Sequence, residues 1–78
     1  MAYSIDVAEL EWLVIVGQRL RRMREDLGMS LDYVGATMDP SMSRSQLSRV
    51  ERGESRLSAY RARQLCAVLA VSIEELLR

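Results

Sequence analysis

The side chains best able to recognise a charged partner are concentrated in one stretch, Ser43-Arg-Ser-Gln-Leu-Ser-Arg-Val-Glu-Arg-Gly53. A guanidinium matches the two major-groove acceptors of guanine, or a phosphate, with a two-pronged donor geometry, and small hydroxyls permit close approach. Such groups act together only if one element presents them on one side. Ser43 followed three residues later by Gln46 is a capping box, in which hydroxyl and amide satisfy backbone donors left free at a helix start, and Gly53 supplies the stop. A helical wheel groups Leu47, Val50 and Glu51 on one side and Ser45, Arg49 and Arg52 on the other, with Arg44 projecting from the leading end. The inward face is apolar and the outward face suits DNA. The bland alternative is a solvated amphipathic helix, so the surrounding chain must decide.

Few other chemistries are open. The chain has no His and a single Cys, which removes the usual zinc and iron ligand sets and any intrachain disulfide. No metal and no cofactor are therefore expected. Cys66 falls in an apolar helical stripe and reads as a small buried hydrophobe rather than a reactive thiol. Glu74 and Glu75 are adjacent on a helix and do not converge. With no paired nucleophile and base and no phosphate-binding glycine loop, the chain is not read as an enzyme. Arg19, Arg21 and Arg22 read by default as a solvated helix face, and Tyr33 and Tyr60 as packing residues at least as readily as neighbours of a DNA backbone.

Length and charge narrow the partner. Seventy-eight residues form one domain, near the size at which a single core only just suffices. The longest apolar run, Trp12 to Val16, falls far short of the roughly 20 residues needed to span a bilayer, and the N-terminus lacks the basic start of a signal peptide. A cytoplasmic protein is expected. The formal net charge is zero, which argues against indiscriminate coating of nucleic acid. Its distribution is uneven: residues 1–16 carry Asp6, Glu9 and Glu11 with no base, whereas residues 43–63 carry six arginines against Glu51 and Glu54. A basic second half suits a local anionic partner.

The positioning elements read as five helices with short joints and no strands, an all-α fold. Ser4 is expected to cap a helix over about residues 5–27, with an inward stripe of Leu13, Val16, Leu20, Met23 and Leu27 and a stop at Gly28. Gly17 inside that stripe predicts a bend or break. Ser30 caps a short helix from Leu31 to about Met38, facing inward through Leu31, Val34 and Met38, and Asp39-Pro40 ends it. Ser58 caps a fourth helix with Ala62, Leu65, Cys66 and Leu69 inward. Ser72 and Glu75 make a second capping box for a last turn expected to bury Ile73, Leu76 and Leu77. Arg24 lies on the edge of the first stripe, where a lone charge is costly, and Glu51 on the inner face of its own helix is the expected partner.

Taken in order, Gly17-Gln-Arg-Leu20-Arg-Arg-Met-Arg24, Leu27-Gly-Met-Ser30, Ser43 to Gly53 and Leu69-Ala-Val-Ser72-Ile-Glu-Glu-Leu-Leu77 resemble the helix-turn-helix domain of the lambda/434 repressor, Cro and xenobiotic-response-element-like regulators. The resemblance implies a compact five-helix domain with an extended N-terminal helix. It makes Leu31 to Met38 the positioning helix and Ser43 to Arg52 the recognition helix entering the major groove. Position by position it implies base contacts by Arg44, Ser45 and Arg49, phosphate contacts by Ser43, Gln46, Arg52 and Arg56, and a structural Arg24–Glu51 pair. Three departures each remove affinity: a longer turn from Asp39 to Ser43 with Pro40 where the family tends to have Gly, Leu31 in place of a Gln that commonly contacts phosphate, and Glu54 at a position that is often basic.

These readings divide the chain into a helical extension, residues 1–16, and a helix-turn-helix domain, residues 17–78. Ala8, Trp12 and Ile15 lie to one side of the core stripe, and Leu10 and Val14 near its other flank, more apolar surface than so small a domain can cover. A homodimer through Ala8, Trp12 and Ile15 is expected, because DNA readers of this type present paired recognition helices about one DNA turn apart. The expected function is sequence-specific binding of double-stranded DNA by a bacterial or phage transcriptional repressor at a palindromic operator, with no membrane and no small-molecule ligand. The alternative is a protein-interaction module, an antitoxin or a factor acting on another regulator, with weak DNA binding.

Overall fold

The computed structural model describes residues 6–78. They form α1 (Val7–Asp26), α2 (Leu31–Thr37), α3 (Arg44–Glu51), α4 (Ala59–Leu69) and α5 (Ile73–Leu77), with no strand among the described residues. Each helix starts where a short polar side chain relieves its free backbone donors. Asp6 accepts from the Ala8 N–H, Ser30 from Tyr33, Ser43 from Gln46, Ser58 from Arg61 and Ser72 from Glu75. The expected Ser4 cap lies outside the described residues; the described helix begins at Val7, with Asp6 itself as N-cap.

α1 crosses α3, α4 and α5, while α2 packs on α3 and α4. The side chains between them are Val16, Leu20, Val34, Met38, Leu47, Val50, Ala62, Leu65, Cys66, Leu69 and Leu76. Leu20, Leu47, Leu65 and Leu76 are removed from water almost completely, each such side chain contributing about 1.5–3 kcal/mol. Burial pushes the Cys66 thiol above its ordinary pKa, which keeps it protonated and unreactive.

Four expectations are corrected. α1 runs unbroken through Gly17, because that residue is a contact point rather than a hinge. A Cβ at position 17 would lie 2.5 Å from the Glu51 carbonyl oxygen and 2.6 Å from that of Val50, so its absence lets the end of α3 rest on α1. Leu27 is 52% exposed: it follows the last helical residue, and the chain leaves there through Gly28 before it can turn Leu27 inward. Leu77 is 45% exposed, because α5 is one short turn with Leu76 as its only fully inward residue. Val14, expected on an uncovered flank, is half-buried beneath Gly53, whose Cβ would meet the Val14 Cα at 2.7 Å.

Candidate nucleic-acid interface

The site is α3 and what holds it. Ser43 Oγ accepts from the Gln46 N–H at 3.1 Å and Gln46 Oε1 from the Ser43 N–H at 3.0 Å, the complete capping box. Leu47, Val50 and Glu51 face the core. At the far end the Gly53 N–H reaches the Val50 carbonyl and the Glu54 N–H reaches Arg49, a closure that requires the positive φ of 73° which Gly53 adopts. Arg44, Ser45, Gln46, Arg49 and Arg52 are exposed on the opposite side. Leu31, Arg44, Ser45, Ser48, Arg49 and Arg52 line a shallow groove along it.

Glu51 would be a liability on the inner face if it stood alone. Arg24 Nε donates to its Oε2 at 2.7 Å and Arg24 Nη2 to its Oε1 at 3.0 Å. The third edge of the same guanidinium donates to the Met29 carbonyl at 2.8 Å. The hydrogen bonding that Arg24 donates to Glu51 holds the Arg24 pKa above its ordinary value, against the opposing effect of burial. One side chain of α1 therefore ties down both the base of α3 and the loop that leads into α2, behind the exposed face.

The long connection between α2 and α3 is also held. The Met42 N–H donates back to the Gly35 carbonyl at 2.9 Å, and α2 approaches Met42 so closely that a side chain at position 35 would collide with its carbonyl. From α4, Arg61 Nη1 donates to the Pro40 carbonyl at 2.6 Å and to Gln64 Oε1 at 2.8 Å, while Gln64 Nε2 donates to the Asp39 carbonyl. The Asp39–Pro40 bond within this connection is cis. Sequence reasoning missed Arg61 and Gln64. These contacts span 21 and 25 residues, so no local pattern marks them.

The residues expected to read and to anchor differ in how they are engaged. Arg44 and Arg49 make no hydrogen bond or ion pair to any described residue, and Arg49 lies close enough to Glu54 to help lower its pKa. Gln46 uses its carbonyl oxygen in the cap, and its amide donors have no partner among the described residues. Arg52 is bound by Glu54 and Ser48. Arg56 pairs with Glu9 at 3.3 Å, which links the loop after α3 to the first turn of α1. Ala8, Trp12 and Ile15 are all exposed on α1. Tyr33 and Tyr60 are exposed, Tyr60 accepting a hydrogen bond from Gln64.

Among the described residues no cluster of His, Cys, Asp or Glu is arranged to hold a metal ion, and no helix is long and apolar enough to cross a membrane. No curated protein and no solved structure matches the chain. A family model described as helix-turn-helix matches residues 20–76, a span that contains α2, α3, their connection and both ends of the Arg24–Glu51 pair. The chain belongs to the helix-turn-helix family of the lambda repressor/Cro type, DNA-binding domains of transcription regulators.

Proposed function

We propose that the protein is a sequence-specific repressor that binds a palindromic operator as a homodimer in the cytoplasm, with α3 in the major groove. The observation that supports this reading best is the two-sided construction of α3: a buried face closed by an ion pair, and an exposed face whose Arg44 and Arg49 make no hydrogen bond or ion pair to any described residue. Arg44, Ser45 and Arg49 read base edges. Ser43, Gln46, Arg52 and Arg56 meet phosphates on either side, through hydroxyl and amide donors and guanidinium forks. Ala8, Trp12 and Ile15 supply the two-fold contact.

Selection of bound duplexes from a random pool tests the reading. Enrichment of a palindrome, with loss of preference at one base pair in each half-site for Arg49→Ala, supports it. A good bidentate contact discriminates by about 1–3 kcal/mol, so the loss at that position should be about five- to 150-fold. Failure to enrich any sequence favours the second reading, a protein-interaction module. The observation on that side is that Arg52 and Arg56 are already paired with carboxylates.

A further inference from the structure

The turn that closes α3 places a carboxylate on the exposed face. Because the Gly53 and Glu54 N–H groups bond back to Val50 and Arg49, the chain reverses tightly and the Glu54 side chain returns alongside the helix end. There its Oε2 accepts from Arg52 Nε at 2.7 Å and its Oε1 from Arg52 Nη2 at 3.3 Å. The remaining edge of that guanidinium donates from Nη1 to Ser48 Oγ at 2.7 Å. All three guanidinium nitrogens of Arg52 thus donate within the protein, and its Nε–Nη2 fork is filled by the Glu54 carboxylate. The hydrogen bond from Arg52, with a smaller contribution from the charge of Arg49, holds the Glu54 carboxyl below the usual carboxylate range, so it remains ionised. Both side chains are about half exposed, at 52% and 53%, so the pair is open to exchange with an outside anion.

We propose that Glu54 competes with DNA phosphate for the guanidinium of Arg52, and thereby sets the protein's affinity for DNA of every sequence. The proposal rests on Arg52 being a phosphate anchor. A carboxylate and a phosphate accept the same two-pronged fork in the same geometry, and the Nε and Nη2 donors hold only one of them in that way. Docking therefore exchanges Glu54 for phosphate and leaves the displaced carboxylate beside a polyanion. Both effects oppose binding, and neither depends on base sequence, since phosphate contacts carry the sequence-independent part of affinity. A protein with this brake leaves unrelated DNA more readily while its base-reading residues are untouched.

The test is a titration of the full chain against two labelled duplexes, one enriched by selection and one scrambled, over a range of salt concentrations. Wild type, Glu54→Gln, Arg52→Gln and the double variant are compared. Glu54→Gln should tighten binding to both duplexes by a similar factor, about three- to tenfold at low salt, and steepen the log–log salt slope by about one. In the Arg52→Gln background the same substitution should lose most of that gain. Unchanged or weakened binding by Glu54→Gln overturns the proposal. So does an equal gain with Arg52 absent, which would be simple charge repulsion. If Arg52→Gln alone keeps wild-type affinity and salt slope, Arg52 is not an anchor, and that failure is separate from the first. Absence of measurable binding by every variant discards both.

Discussion

Arg61 Nη1 donates to the Pro40 carbonyl at 2.6 Å although the two residues are 21 apart in the chain. With Gln64 on Asp39, this contact fastens the connection before α3 to α4, so the longer turn is a braced one. Both side chains thereby hold the segment from which α3 starts. The double variant Arg61→Ala, Gln64→Ala should lose about 1–3 kcal/mol of stability in urea denaturation, the range for hydrogen bonds of which one donor is charged. It should also narrow the affinity gap between the selected duplex and one with a half-site mismatch. Stability that falls while this gap stays constant would show that the brace does not govern reading.

Removing Arg24 should be more damaging than removing any exposed arginine. Glu51 is 6% exposed, and without Arg24 its carboxylate has no partner among the described residues and little access to water. Breaking one side of a buried pair costs about 3–5 kcal/mol, a large part of what a domain of this size has. Arg24→Ala should therefore lower the thermal midpoint severely. Arg24→Met combined with Glu51→Met, which removes the stranded charge, should recover much of the loss. If the double variant is no better than Arg24→Ala, the Met29 carbonyl contact is the dominant role of Arg24.

Gly17 gives a third prediction. Alanine is the better helix former by about 1 kcal/mol, so an exposed glycine in the middle of α1 would gain from the change. Here the new Cβ would stand 2.5 Å from the Glu51 carbonyl oxygen, and backbone on one side would have to move. Gly17→Ala should therefore destabilise the protein, by about 1–3 kcal/mol as for other overpacked sites, measured by the shift in the denaturation midpoint at constant slope. A gain in stability would mean that α1 and α3 separate easily.

The contrast between Ser43 and Gly17 explains what the sequence discloses. A cap acts within its own first turn, so Ser30, Ser43, Ser58 and Ser72 are legible locally, Ser43 and Ser72 also through Gln46 and Glu75 three positions on. So are the apolar stripe of α4 and the two faces of α3, because helical periodicity sorts them before any partner is known. Gly17 answers to a carbonyl on another helix, and its meaning is invisible until α3 is in place. Leu27 and Leu77 kept the period of a buried stripe but fall where a helix has ended or is a single turn long. Arg52 shows an intermediate case. Ser48 lies four residues before it and Glu54 two after it, but only the closure at Gly53 makes both reach the same guanidinium.

The proposed dimer makes the last prediction. α1 has twenty residues and runs about 30 Å, on a molecule whose longest extent is 39 Å. Its first half leaves Val7, Leu10, Trp12 and Ile15 exposed while Leu13 and Val16 serve the core. Trp12 is 43% exposed, the largest apolar side chain on this face. Aromatic anchors near the centre of an interface contribute about 2 kcal/mol or more each, and a two-fold axis counts the residue twice. Trp12→Ala should weaken self-association by about a thousandfold, read by sedimentation equilibrium across micromolar concentrations. On the selected palindrome it should convert cooperative occupancy of two half-sites into independent occupancy, with base preference within each half-site retained because α3 is untouched. A wild-type protein that sediments as a monomer at concentrations where both half-sites fill cooperatively would move the two-fold contact away from α1, to a surface that forms only on DNA.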